Sequence, residues 1–123
     1  MLVFLLTNQA RQRLPDISYD IEGELKQAEW TFVRFSAPWC AFSQIAEPEW
    51  RKLYTHYGKN VRFVEVNCNS IGQECRDTWD VKGYPAFKLY KNGKFNALFR
   101  PTYPRKLDIF TEWLNRQLIV KEE

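Results

Sequence analysis

The chain has 123 residues, 45% of them apolar and 27% charged, with five Trp, six Tyr and nine Phe. That is the composition of one globular domain, 1–123, and it excludes a disordered or low-complexity chain. A net charge of +3 is too mild and too scattered for a nucleic-acid surface or an anionic membrane, and no run approaches the roughly 20 apolar residues that span a bilayer.

In chain order, Met1 to Leu6 is an apolar run that reads as a first strand; Asn8, Gln9 and Arg11 end it too soon for the apolar core of a secretory segment. Ile17, Ile21, Leu25 and Ala28 recur at helical spacing, with Asp16 after Pro15 as the N-cap. Trp30 to Phe35 is an aromatic and β-branched run of strand length. A second helical pattern starts at Cys40, with Phe42, Ile45, Ala46, Trp50, Leu53 and Tyr57 on one stripe. Pro48 removes one of its backbone bonds and Gly58 ends it. Val61 to Val66 is a further strand, Asn67 to Gly72 a polar loop, and Gln73 to Trp79 a short helix. Gly83-Tyr84-Pro85 is a turn, and Ala86 to Lys91 and Lys94 to Phe99 flank Asn92-Gly93, a strong hairpin signal. Arg105 to Gln117 closes the chain as an amphipathic helix, with Leu107, Phe110, Trp113, Leu114 and Leu118 inward.

Strand–helix–strand units call for right-handed crossovers and parallel pairing, whereas the Asn92-Gly93 hairpin forces an antiparallel edge. The expected class is α/β, a central mixed sheet of about five strands with helices on both faces. In such sheets function gathers at the carboxyl ends of the parallel strands, where helix N-termini point. Cys40 lies there, just past the strand that ends near Ser36. Cysteine reacts as the thiolate, which the unpaired N–H groups of a helix's first turn stabilise. A buried cysteine acting as a small apolar side chain is the alternative reading; Pro38 and Trp39 before Cys40 and Pro48 after it favour the reactive one.

Cys40, Cys68 and Cys75 are an odd number of thiols, so at least one has no partner within the chain. Cys68 and Cys75 are not spaced as a Cys-x-x-Cys pair, and His56 is too isolated to complete a zinc site, so no metal is expected. The aromatic stripes are core and imply no cofactor.

Ala37-Pro38-Trp39-Cys40 followed by Pro48-Glu49-Trp50 resembles the active-site segment of the thioredoxin fold, and in particular of protein disulfide isomerase domains. Gly83-Tyr84-Pro85 is similar to that family's cis-proline loop, and Lys91-Asn92-Gly93 to its hairpin; the resemblance runs from about Trp30 to Leu118. It implies a thioredoxin fold with Cys40 as the first catalytic cysteine, Pro85 as a cis-proline facing it, and Tyr84 and Pro85 against a bound substrate strand. Trp39 and Phe42 would add apolar surface for a client. Several secretory isomerase-like domains, and the thioredoxin domain of sulfhydryl oxidases, carry a structural disulfide where Cys68 and Cys75 stand. That pairing would leave Cys40 free and argue for an oxidising lumen; two reduced buried thiols are the alternative.

The departures matter as much. The family motif is Cys-x-x-Cys, whereas this chain reads Cys40-Ala41-Phe42-Ser43, and a hydroxyl cannot resolve a mixed disulfide. The acidic residue beneath the family's site corresponds to Arg34, which favours a thiolate at Cys40 or is a salt-bridged strand arginine. Arg105 resembles an arginine that in isomerase domains swings toward the active cysteine; surface charge is the alternative.

The resemblance thus implies thiol–disulfide exchange through one nucleophilic cysteine, with little net redox turnover. Its partners would be cysteine-containing clients of the secretory pathway, held as mixed disulfides in the endoplasmic reticulum lumen by a monomeric domain without nucleic-acid or membrane contact. Three other readings remain open. Ser43 stands by engineering for the cysteine of a dithiol isomerase or sulfhydryl-oxidase domain; the chain is a non-catalytic client-binding module; or it relays electrons within a larger oxidase.

Overall fold

The computed structural model describes residues 14–57 and 60–122. In order these hold α1 (Ile21–Leu25), β1 (Trp30–Ser36), α2 (Ala41–Tyr57), β2 (Arg62–Asn67), α3 (Cys68–Ile71), α4 (Glu74–Asp77), β3 (Ala86–Lys91), β4 (Lys94–Phe99) and α5 (Leu107–Glu122). The sheet runs β2-β1-β3-β4, with β1 and β2 parallel and the other pairs antiparallel. The described residues thus form four strands where about five were expected; the remaining one, Met1 to Leu6, lies outside them.

Every residue of β1 is buried because the strand is central and covered on both faces. Alternation sends Phe32 to one face, where it meets Trp50 of α2 and Trp113 of α5 at ring-centroid distances of 5.4 and 5.5 Å. Ala46, Leu53, Phe110 and Leu114 complete that layer with Phe63, Phe87 and Phe99. Val33 and Phe35 point the other way, into a second core with Ile17, Ile21 and Leu25 and with Cys68, Cys75 and Val81. Helices cover both faces, as the crossover argument requires.

Among the described residues two side-chain hydrogen bonds join the two helices of the first layer. The Tyr57 hydroxyl donates to Asn115 Oδ1 at 2.6 Å, and the Leu107 N–H donates to Glu49 Oε1 at 2.9 Å, so a side chain of α2 caps the start of α5. Lys52 and this N–H together hold the Glu49 carboxyl below its usual range. The hairpin turn forms at Asn92 and Gly93, both at positive φ (51° and 86°).

Three local expectations change. Ile45, expected on the apolar stripe of α2, is 71% exposed, and Phe42, expected both on that stripe and as client-facing surface, is 63% exposed. The buried face of α2 runs through Ser43, Ala46, Trp50 and Leu53. On a period of about 3.6 residues Ile45 falls well outside that face and Phe42 at its edge, and Ser43 takes the inward place in the first turn, over Arg34 of β1. Asp16 is not a helix cap. It bridges to Glu65 as a short parallel extension of the sheet edge and accepts from the Ser18 N–H and hydroxyl. Asp20 caps α1 instead, accepting from Gly23 N at 3.2 Å. The polar loop after β2 contains a helical turn, α3, because Asn67 Oδ1 accepts from the Asn69 and Ser70 N–H groups and caps it.

Arg62 of β2 grips α1, donating to Glu24 O at 2.8 Å and to Glu24 Oε1 at 2.7 Å. The Arg62 bond, with a second from Tyr19, holds the Glu24 carboxyl below its ordinary 4.5. A lowered folded-state value means that this contribution is complete above the unfolded value and is lost as pH falls through the folded one. Glu24→Gln is therefore expected to lose less stability than the unaltered chain between neutral and acid pH, read as a smaller drop in urea midpoint. An equal drop in both proteins would refute that linkage.

Candidate active site

At the carboxyl end of β1 the chain turns through Ala37-Pro38-Trp39. The Cys40 N–H donates to Ala37 O at 2.9 Å and Cys40 O accepts from Gln44 N at 3.2 Å, so Cys40 is the residue from which α2 springs. Gln44 Nε2 also donates to Pro38 O at 2.7 Å, tying the turn to the helix. Cys40 is a free thiol, half-buried. Its sulfur donates to the Tyr84 carbonyl at 3.8 Å, and the Tyr84-Pro85 peptide bond is cis. Trp39, 66% exposed, stands edge-on to Tyr84 at 5.8 Å and donates its indole N–H to Asn69 Oδ1 at 3.2 Å.

Ser43 sits behind this opening, 3% exposed, with its hydroxyl accepting from Ala37 N at 3.4 Å. Arg34 lies deeper. Its side chain donates to Ser43 O at 3.1 Å, to Glu65 Oε1 at 2.9 Å and to Glu47 Oε2 at 3.4 Å. Of the two readings of Arg34, the salt-bridged strand arginine is the observed state, and its bond to the motif is through the Ser43 carbonyl. A cavity of about 370 Å³ opens beside it, lined by Arg34, Ser43, Glu47, Glu65 and Asn67 among others.

Cys68 and Cys75 form a disulfide with a Cα–Cα distance of 5.7 Å, both residues buried. Arg105 lines a separate cleft of about 310 Å³ with Tyr84, Pro85 and Phe99, and makes no hydrogen bond or ion pair among the described residues. The structure therefore gathers Cys40, Trp39, Tyr84 and Pro85 at one opening, sets Ser43 and Arg34 behind it, and leaves Arg105 beyond the proline loop. No three His, Cys, Asp or Glu side chains cluster to hold a metal ion among the described residues.

Sequence reasoning passed over Glu47, Glu65 and Asn69. Glu65 had a usable signal, because parallel pairing of two strands of similar length sets it beside Arg34. Asn69 had none.

A helix-terminal cysteine facing a cis-proline, at the edge of a mixed sheet with helices on both faces, defines the thioredoxin fold. The Thioredoxin family model matches residues 18–115, and the chain belongs to that family. Thioredoxin of Gallus gallus is 35% identical over 91 residues, covering 72% of this chain and 85% of the relative. A Schizosaccharomyces pombe protein named as a protein disulfide-isomerase is 30% identical over 112 residues, covering 89% of this chain and 22% of the relative. Among solved structures, the Trx4 domain of ERdj5 superposes with a TM-score of 0.74 at 24% identity over 87% of this chain and 96% of that one. Human ERp44 in its zinc-bound form superposes with a TM-score of 0.72 at 21% identity, over 85% and 32%. The chain thus spans only about a fifth of the length of the Schizosaccharomyces pombe relative.

Proposed function

We propose that this domain captures protein clients by thiol–disulfide exchange at Cys40 and holds them as mixed disulfides. The observation that carries the reading is the pairing of a free, half-buried thiol at the start of α2 with a buried hydroxyl, Ser43, three residues on. The Cys40 thiolate attacks a client disulfide: the Cys40–client S–S bond forms, the client bond breaks, and the second client sulfur leaves as a thiolate. Resolution needs another thiolate, and a serine hydroxyl cannot supply it at neutral pH. Net oxidation or reduction within the motif is therefore absent, and release awaits an external thiol.

Trp39, Phe42, Tyr84 and Pro85 form the client surface in this reading, and the Tyr84 carbonyl is free to accept a client N–H once the thiol proton has left. Arg34 positions the first turn of α2 through Ser43 O. Arg105 borders the client surface from the neighbouring cleft. We read residues 1–123 as one monomeric domain acting on cysteine-containing clients in the endoplasmic reticulum lumen. The Cys68–Cys75 bond supports that compartment, since such bonds persist where thiols are not kept reduced.

The exposed Trp39, Phe42 and Ile45 favour a second reading, a binding module that needs no covalent step. Intact-mass analysis under denaturing, non-reducing conditions separates the two. After incubation with a disulfide-bonded client, the unaltered chain is expected to gain the mass of the client half, and Cys40→Ala to gain none. Equal retention of client by both proteins under native conditions, with no covalent adduct in either, would establish the binding module.

A further inference from the structure

Two paths lead from the Cys68–Cys75 disulfide to the rim of the Cys40 site. On the first, α3 begins at Cys68, and the side chain of the next residue, Asn69, accepts the indole N–H of Trp39, thirty residues away in sequence. The Asn69 backbone N–H is itself held by Asn67 Oδ1 at 2.9 Å, so the turn that carries the acceptor is capped as well as cross-linked. On the second, Val81 N donates to Cys75 O at 2.9 Å. Beside it, buried Lys88 donates to Trp79 O and Asp80 O at 2.6 and 2.9 Å. These bonds guide the chain into the cis Tyr84-Pro85 peptide, and Tyr84 meets Trp39 edge-on.

Trp39 has about two-thirds of its surface in solvent. Packing alone holds such a ring loosely, whereas a hydrogen bond at one edge and a perpendicular aromatic contact with Tyr84 select one orientation. Both of those contacts trace back to the cross-linked segment 68–75. We propose that Asn69, fixed by the Cys68–Cys75 disulfide, is a positioning residue that sets Trp39 as an apolar wall beside Cys40. Capture by Cys40 then selects client cysteines flanked by large apolar side chains. The inference rests on the exchange reading above and adds to it the class of client and the residue that sets the preference.

The test uses the full chain and two synthetic peptides, each with one cysteine activated as a mixed disulfide with a chromogenic thiol. Leucine flanks the cysteine in one and glycine in the other. The unaltered chain is expected to capture the leucine peptide faster. In Asn69→Ala the leucine-to-glycine rate ratio is expected to fall by about two- to tenfold, the range that losing one pre-ordered side chain at an interface spans. Asn69→Asp keeps an oxygen that accepts the indole N–H and is expected to keep the ratio.

The ring itself is followed by fluorine NMR of protein labelled with fluorotryptophan, the Trp39 resonance being assigned with Trp39→Phe. That resonance is expected to move and narrow in Asn69→Ala and to stay in Asn69→Asp. The Cys68→Ala/Cys75→Ala double variant, where it folds, is expected to behave as Asn69→Ala; the Asn69 pair keeps the cross-link and decides the matter independently. An unchanged ratio and resonance in Asn69→Ala, or an equal loss in Asn69→Asp, overturns the proposal. An unchanged ratio in the folded double variant overturns the part assigned to the disulfide. Capture of neither peptide by the unaltered chain overturns the exchange reading, and this inference with it.

Discussion

Replacing Ser43 by cysteine is expected to shorten the lifetime of a Cys40–client mixed disulfide by at least about a thousandfold, since effective molarities of well-oriented groups reach 10⁵ M and above, against the millimolar thiol needed for external release. Residues 40 and 43 are three apart at the start of α2, the spacing at which side chains on one helix face approach each other. The site is already arranged for the new group. Ser43 accepts the Ala37 N–H, and Arg34 bonds the carbonyl of the same residue, so a sulfur anion at 43 would meet an N–H donor with a guanidinium close by. That anion would attack the Cys40 sulfur, forming a disulfide between Cys40 and the introduced thiol and releasing the client as a thiolate. The release time of a fluorescent client peptide measures it. A lifetime unchanged in Ser43→Cys would mean that residue 43 cannot reach the captured bond, and that something other than the missing sulfur limits release.

The largest expected effect on stability lies under the site, at Trp50. Its ring is fully buried and meets Phe32, Phe63 and Phe87 at 5.4, 5.4 and 5.3 Å. Trp50→Ala removes these contacts and opens a void that packed neighbours close only in part, at a cost of about 3–5 kcal/mol. For a domain of this size that lowers Tm by roughly 10–20 °C. The indole N–H of Trp50 has no hydrogen-bond partner among the described residues, so none is lost with it. Trp50→Phe accordingly keeps an aromatic ring in place, discards an unpaired donor, and is expected to cost less than half as much. Urea unfolding of both variants checks the pair. A loss below about 1 kcal/mol for Trp50→Ala would show that α2 is not held to the sheet by this ring. Because α2 also carries Cys40 at its start, the two predictions meet in one element: Trp50 anchors the helix whose first turn presents the sulfur.

The parts of this fold that could be read in advance are those whose signals act over a few residues. Asn92-Gly93 defines a hairpin because both positions take positive φ in the turn. Trp30 to Phe35 and Val61 to Val66 read as strands from their β-branched and aromatic content, and both carry strands shifted by no more than a residue. Cys40 was found because Pro38, Trp39 and Pro48 surround it within ten residues. Ile45 went astray because an apolar stripe was drawn through it, whereas the buried face of α2 runs through Ser43, Ala46, Trp50 and Leu53 and leaves Phe42 at its edge; a polar Ser43 gave no apolar signal for that face. Asp16 and Asp20 are both competent caps four residues apart, and the choice fell to Asp20 because residues 15–17 are drawn onto β2 by bonds to Glu65.

By itself, then, the amino-acid order determined the succession of strands and longer helices among the described residues, the parallel and antiparallel pairings they permit, and a cysteine at the head of a helix with serine three residues on. Only the folded chain decided that Cys68 and Cys75 approach within disulfide reach, that Arg34 is neutralised by Glu65 from a neighbouring strand, and that Trp39 leans on Asn69. Helical period, turn conformation and capping are settled between residues a few positions apart. The Glu65 partner of the buried Arg34 guanidinium and the Asn69 partner of the exposed Trp39 indole lie about thirty positions away and are brought together only when the sheet closes.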